Sequence, residues 1–328
     1  MLRILLVATL VFQSSYVFSC DQLADTGFAP ENDLYIPVGL KSGNTMDEKD
    51  FNQIIDDVVA IYKKQVANAG GEITVLKDWA TGTVNAFACR SIFKDRCPRK
   101  ASEVGNNYLL KMFGGLARHP EMTKDGFAIV VCHELGHHIG GAPKKGARWA
   151  SSEGQSDYWA TTKCMKNYLL GAKPVRGGYK KSADFRNTQT LCSAQYESFV
   201  DKDICVRTTV AGQALAKVLK SLKVERLRAC ADGNVVKCGR TYTPRTARVK
   251  MDAMIANPLS LLTPDKAVVK TSYTGHPKAQ CRYDTFFQGS LCSVDKDAKV
   301  DEKDPTVGFC NRGKDSTGVR PHCWYKPL

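Results

Sequence analysis

Thirteen cysteines constrain the fold of this 328-residue chain more than any other feature of its sequence. Cys20 stands alone near the N-terminus, and setting it aside leaves an even 12. In an exported chain, an even set of cysteines indicates a disulfide framework formed in an oxidising compartment. Their spacing favours partners that are close in sequence: Cys89–Cys97, Cys192–Cys205, Cys230–Cys238, Cys281–Cys292 and Cys310–Cys323. Cys132 and Cys164 are left over, and the pair Cys132–Cys164 could bridge two packed helices. Spacing alone does not fix the connectivity, and buried free thiols are the alternative for Cys132 and Cys164. No CxxC pair occurs, which excludes a thiolate zinc knuckle.

The first 19 residues have the composition of a signal peptide. Arg3 supplies a positive charge, and Ile4–Phe12 form an apolar stretch too short to span a bilayer. We therefore expect export, either to the periplasm, to the envelope as an attached lipoprotein, or as a secreted protein. Cys20 ends VFSC, an imperfect lipobox, so lipidation and a disulfide or free thiol both stay open. Residues 20–45 are then an extended lead-in or a lipoprotein tether, and no later stretch reaches the ~20 apolar residues of a membrane helix.

The chain is basic, with 47 lysines and arginines against 33 acidic residues and a net charge of +14. Such an excess favours anionic surroundings, although an ordinary basic surface is the simpler explanation. The basic residues are scattered and not interleaved with aromatic ones, which argues against nucleic acid as a partner.

The order of predicted elements indicates an α+β fold. Helical periodicity predicts helices at 46–68, 124–139, 152–170 and about 197–222. β-Rich segments predict strands at 71–79, 83–90 and 107–113, whereas 171–196 resembles a loop and the tail from about 250 has short elements. We divide the chain into a catalytic core at 46–175, a helical insertion at 176–250 and a disulfide-rich C-terminal region at 251–328.

The stretch CHELGHHIGG, residues 132–141, contains the candidate metal-binding and catalytic residues. His133 and His137 stand four residues apart and so share one face of a helix, as two ligands of one zinc ion must. Glu134 lies beside them, where a carboxylate can accept the proton of a zinc-activated water. A catalytic zinc site takes three protein ligands and keeps one position open, so a third ligand is required.

Glu153 is the best candidate for that third ligand. It lies sixteen residues after His137, within the reach of a helix–loop–helix hairpin. Asp157 follows one helical turn later and can accept the second N–H of a ligating histidine. Two acids on a solvated face are the alternative, but Tyr158 and Trp159 favour a buried helix, where unpaired acids are costly.

The pattern His-Glu-Leu-Gly-His followed by Glu-x-x-Ser-Asp resembles the gluzincin peptidases, and more narrowly the HtpX and CAAX prenyl protease family of minigluzincins. VNAFACR, residues 84–90, is similar to the family's edge strand. GHPKAQCR, residues 275–282, keeps the family's spacing between a His-Pro and an arginine. The resemblance covers about 46–170 and 276–282, and it departs from the family in the high cysteine content and in the lack of predicted membrane segments after the signal peptide.

The resemblance implies a zincin-like (minigluzincin) core with an HExxH helix, a Glu-bearing second helix and a small antiparallel sheet. It implies that an edge strand pairs with an extended protein or peptide substrate through main-chain hydrogen bonds. The residues of that strand are Asn85, Ala86, Phe87 and Ala88. It also implies that His276 donates a hydrogen bond to the developing oxyanion and that Arg282 supports the site. A histidine in a disulfide loop is the alternative for His276.

These observations predict an exported zinc endopeptidase with one catalytic zinc ion and Glu134 as general base. A zinc-bound envelope chaperone or assembly factor with weak or no proteolysis would use the same cleft, but it would not need Glu134. A zinc amidase acting on peptidoglycan peptides is a further alternative. A disulfide-stapled binding module in which the HExxH pattern is incidental would bind no zinc.

Overall fold

The computed structural model describes residues 27–40, 46–145, 149–172 and 182–327. It has the predicted mixture of helices with a small sheet. The strands are β1 (Glu72–Asp78), β2 (Ala86–Ser91) and β3 (Asn107–Phe113). The helices are α1 (Glu48–Asn68), α2 (Gly114–Ala117), α3 (Lys124–Ile139), α4 (Glu153–Trp159), α5 (Met165–Leu169), α6 (Ala183–Gln195), α7 (Phe199–Ala231), α8 (Val235–Cys238), α9 (Pro244–Ala256) and α10 (Ala279–Leu291). A 3-10 turn spans Ala101–Glu103.

The sheet is mixed, so the predicted antiparallel arrangement is correct for β2 and β3 and wrong for β1. Its order is β1-β3-β2, with β1 parallel to β3 and β2 antiparallel to β3. The chain reverses direction before β2 and again after it, which makes β3 parallel to β1. Leu109, Leu110 and Met112 of β3 are fully buried, whereas β1 is partly exposed along its length. The most apolar strand therefore occupies the centre of the sheet, and β2 lies at an edge.

The helices predicted at 46–68 and 124–139 are confirmed as α1 and α3. α1 begins after Asp47, which forms a capping box with Asp50, and it buries one apolar face. α3 begins after Thr123, whose hydroxyl accepts a hydrogen bond from the Gly126 amide at 3.0 Å. Nearly every residue of α3 is buried, so it is the central helix of the core and not a surface helix.

The helix predicted at 152–170 is present as α4, a π-helical turn at Ala160–Cys164 and α5 in direct succession. The loop predicted at 171–196 is wrong for its second half, because α6 begins after the capping residue Ser182. Residues 173–181 of that segment lie outside the described part of the chain. α7 continues to Ala231, beyond the predicted end at 222.

The C-terminal region contains more regular structure than predicted. α10 is a 13-residue helix that packs against α4 and α7. Phe127 of α3, Leu215 of α7, Phe286 of α10 and Trp324 belong to one continuous hydrophobic core. A smaller cluster joins the end of α7 to α8 and α9. The predicted division into three regions stays a prediction, since the main core draws on all of them.

Six disulfides join the described cysteines, and four are the predicted pairs: Cys89–Cys97, Cys132–Cys164, Cys192–Cys205 and Cys230–Cys238. The predicted pairs Cys281–Cys292 and Cys310–Cys323 are wrong, and Cys281–Cys323 and Cys292–Cys310 are formed instead. The reason is geometric. Cys281 and Cys292 lie eleven residues apart at opposite ends of α10, which separates them by about 16 Å, too far for a disulfide.

The predicted signal peptide at 1–19 and the lipidation candidate Cys20 lie outside the described residues. Over the ranges that the structure covers, no helix is both long enough and apolar enough to cross a membrane.

Candidate metal centre

Close packing of α3 against α4 brings the candidate ligands together. Gly136 lies between the two histidines of α3, and a Cβ there would approach Trp159 and the Ser156 backbone to 3.1 and 3.2 Å. Glycine therefore allows the two helix backbones to come close. The disulfide Cys132–Cys164 ties the residue before His133 to the end of the π-helical turn. The predicted bridge between the two helices is thus present.

His133, His137 and Glu153 form a buried group with none of their surface exposed. The two imidazole rings lie 4.7 Å apart between centroids. His133 Nε2 is 3.2 Å from Glu153 Oε2, and His137 Nε2 is 3.6 Å from Glu153 Oε1. Glu153 opens α4 directly after its cap Ser152, where the helix dipole favours a carboxylate. The three residues converge as the motif and its spacing predicted.

The other ring nitrogen of each histidine is held by a hydrogen bond. His133 Nδ1 lies 2.7 Å from Asp157 Oδ1, and His137 Nδ1 lies 2.8 Å from the Ser151 carbonyl oxygen. An imidazole that donates its Nδ1–H presents the lone pair of Nε2 on the opposite side. Both Nε2 atoms are buried and have no hydrogen-bond partner among the described residues, and the same is true of Glu153 Oε2. A metal ion requires ligand atoms of this kind, whose lone pairs are not used by another partner.

The electrostatics of the group also favour a cation at its centre. Burial alone would lower the pKa of His133, but Asp157 and Glu153 outweigh it and raise that pKa to about 9. Burial lowers the pKa of His137 to about 3. Burial would raise the pKa of Glu153, yet the neighbouring histidines and Lys145 hold it well below its usual range. A single proton on His133 cannot bind to all three ligand atoms of the group at once. A divalent cation can bind to all three. The residues fit a metal ion.

Glu134 differs from every other acid near the site. It is fully buried, and neither carboxylate oxygen has a hydrogen-bond partner in the described part of the chain. Burial raises the pKa of Glu134 to about 8. Burying a carboxylate without a partner destabilises the folded state. Its presence beside the ligands therefore indicates a functional role and not a structural one.

The C-terminal region adds two predicted residues to the group. His276, in the loop before α10, places Nε2 at 3.5 Å from Glu153 Oε2. Arg282 of α10 donates from Nε and Nη2 to the two oxygens of Asp157, both at 2.6 Å. Arg282 therefore acts on His133 through Asp157 and holds that carboxylate in place.

The predicted edge strand packs against α3, the helix of the two histidines, but its outer edge is covered. The Phe28 amide donates to the Ala86 carbonyl oxygen at 3.0 Å, and Gly27 pairs with Phe87 in antiparallel orientation. The Asn85 side chain bonds both backbone groups of Ala29. Ala88 lies further along β2, opposite Leu110 of the central strand.

Three contacts of the site were not predicted. Lys145 donates to Glu153 Oε1 at 2.7 Å, Ser156 Oγ lies 3.0 Å from His137 Nδ1, and the Ser151 carbonyl orients the same ring. Serines beside a helix start ordinarily indicate capping, and a lysine in a loop carries no signal for a buried ion pair. None of these could be found from residue type and spacing.

Comparisons with protein-family models, with curated proteins and with solved structures gave no significant match. The chemistry of the site is therefore what points to a function.

Proposed function

We propose that this chain is an exported zinc-dependent endopeptidase. His133, His137 and Glu153 would hold the zinc ion, and Glu134 would act as general base. The observation that carries the proposal is Glu134, a buried carboxylate without a partner among the described residues, beside three converging donor atoms. A metal site with a purely structural role needs no further free acid beside its ligands. The zincin-like fold of the minigluzincin type is part of the same proposal.

The donor set favours zinc over magnesium or calcium. Two imidazole nitrogens and one carboxylate are typical of catalytic zinc sites, whereas magnesium and calcium prefer oxygen donors throughout. When bound, zinc would lower the pKa of a water molecule toward neutrality and polarise a carbonyl group.

Side chains of this protein would transfer the proton, orient the two histidines and stabilise the oxyanion. Glu134 accepts the proton of the attacking water and returns it to the leaving amine. Asp157 and the Ser151 carbonyl hold the two imidazoles in the tautomer that leaves Nε2 free. His276, whose Nε2 lies 3.5 Å from Glu153 Oε2, can donate to the oxygen that gains charge as the carbonyl is attacked. An extended polypeptide bound along β2 is the substrate class that this arrangement suits.

Zinc content and proteolysis, measured together on oxidised protein, test this proposal. We would determine zinc per chain by mass spectrometry and follow cleavage of an unfolded, quenched protein substrate. Glu134→Gln should keep its zinc and lose roughly 10²- to 10⁴-fold in kcat/KM, because only the proton transfer is removed. Glu153→Gln is the matched control and should lose zinc as well as activity.

The outcomes separate the competing functions. Zinc in the wild type and in Glu134→Gln, with equal cleavage by both, would contradict the role of Glu134. Zinc in both without cleavage in either would favour a binding function. A folded wild type without zinc would refute the metal centre itself.

A further inference from the structure

We propose that Gly27–Ala29 is an inhibitory segment that occupies the substrate groove of this chain. The proposal rests on the proposed function and adds a way in which it is controlled. The segment lies along the outer edge of β2, where an extended substrate would pair, and it reaches the candidate metal centre. A polypeptide can bind to this edge only after the segment has left it.

The segment is bound through its backbone, as a substrate would be. The Phe28 amide donates to the Ala86 carbonyl at 3.0 Å. The Ala29 amide and carbonyl pair with the Asn85 side chain at 3.0 and 3.1 Å. The Phe28 carbonyl accepts from Arg282 Nη1 at 2.6 Å. Main-chain pairing with a sheet edge is how a groove accepts chains of differing sequence.

The Gly27 carbonyl lies where the carbonyl of a bound substrate would be polarised. Its oxygen lies 2.5 Å from His276 Nε2, the atom proposed to stabilise a developing oxyanion. The same nitrogen is 3.5 Å from Glu153 Oε2 in the candidate metal centre. The carbonyl of the segment thus takes the hydrogen bond that a substrate carbonyl would need.

Phe28 anchors the segment beside the metal centre. Its side chain is fully buried, its ring meets the His133 ring edge to face at 5.2 Å, and the Arg282 guanidinium lies 4.4 Å above it. Glu134 is also fully buried, so water and substrate have no open path to its carboxylate in this state. A segment of the same chain competes at an effective concentration on the order of millimolar, well above that of most substrates.

Release of the metal ion to a chelator tests this proposal independently of proteolysis. We would load wild type and Phe28→Ala with zinc and follow transfer of the ion to a coloured chelator. Phe28→Ala should release zinc more than about tenfold faster, because truncation of a buried phenyl ring favours local opening of the segment. Phe51→Ala is the matched control, since Phe51 is equally buried but packs against Trp79 and Phe127, away from the groove.

Amide hydrogen exchange supplies a second readout that needs no metal. The Phe28 amide should exchange through local opening, faster than the amides of β3. Exchange of Phe28 only at the rate of global unfolding, or equal acceleration of zinc release in Phe28→Ala and Phe51→Ala, would show that the segment is a permanent part of the sheet and would overturn the proposal.

Cleavage assays on the same variants keep the two proposals apart. Faster cleavage by Phe28→Ala than by wild type supports both. Faster zinc release without cleavage in either protein supports the segment and refutes the peptidase.

Discussion

Asp157→Asn should weaken both the fold and metal binding, and the structure allows the size of each effect to be worked out. Asp157 has none of its surface exposed and accepts three short hydrogen bonds, one from His133 at 2.7 Å and two from Arg282 at 2.6 Å. Asparagine has the same shape, but one of its two terminal atoms is an N–H donor. In either orientation that donor faces a donor of Arg282, and the guanidinium loses its counter-charge inside the protein.

Breaking a buried ion pair by removing one partner costs about 3–5 kcal/mol. Loss of the carboxylate that orients a ligating histidine reduces metal affinity by about 10- to 100-fold. We therefore expect the free energy of unfolding of the metal-free protein to fall by about 3–5 kcal/mol in guanidinium titrations. Competition with a zinc indicator should show the loss of affinity in the same variant.

Asp184→Asn is the control that separates charge from shape. Asp184 is also buried, 7% exposed, but its partners are neutral, among them the Ser260 hydroxyl and the Leu261 amide. Its substitution should cost about 1–3 kcal/mol and leave zinc affinity unchanged. If Asp157→Asn costs no more than Asp184→Asn, or binds zinc as tightly as wild type, the orienting role of Asp157 is refuted.

Two further predictions concern stability. Burial lowers the pKa values of Lys163 and Lys166 to about 8 from the ordinary 10.5, so the unfolded chain binds more protons between these values. The free energy of unfolding should therefore rise with pH in this window, with about 3 kcal/mol of the rise from Lys163, and Lys163→Met should make the rise smaller in urea titrations at successive pH values; an unchanged slope would contradict the assignment. Replacing Cys132 and Cys164 by alanine opens a loop with a sequence separation of 32 and should cost about 3.7 kcal/mol, against about 2.5 for Cys230 and Cys238 with a separation of 8. Only the first pair should also lower zinc affinity, and equal affinities would argue against a role for that bridge in the site.

Local pattern was enough to predict the parts of the site that lie close in sequence. His133, Glu134 and His137 share a helix whose bounds follow from its apolar run and its cap. Glu153 and Asp157 are one turn apart, and the connection from α3 is short enough to limit where α4 can pack. Helical geometry fixes such relations before any tertiary contact is known.

The features that were missed depend on contacts distant in sequence. Gly27 and His276 are 249 residues apart, and nothing in either neighbourhood indicates that they meet. The position of β3 between β1 and β2 depends on which strand is buried on both faces, not on the order along the chain. The disulfides of the C-terminal region were mispaired because α10 was not recognised as a helix. The short separation of Cys281 and Cys292 in sequence was taken to mean that they are close in space, whereas the helix holds them apart.

The way in which the ligands are held bears on where access to the site can be controlled. Glu153 and Asp157 stand on one helical turn, so the proposed zinc ligand and the carboxylate that orients His133 move as one body. Close packing at Gly136 and the bridge from Cys132 oppose any shift of that body against α3. A packed site of this kind cannot open gradually without losing its ligand geometry. The backbone of the segment at Gly27–Ala29 is bound instead by Asn85, β2, the loop before α10 and α10 itself. The Phe28 ring contacts α3 only through the edge of the His133 ring, so the segment can leave while both helices stay in place. Control by the segment is therefore compatible with a rigid metal centre, whereas control by movement of the ligands is not.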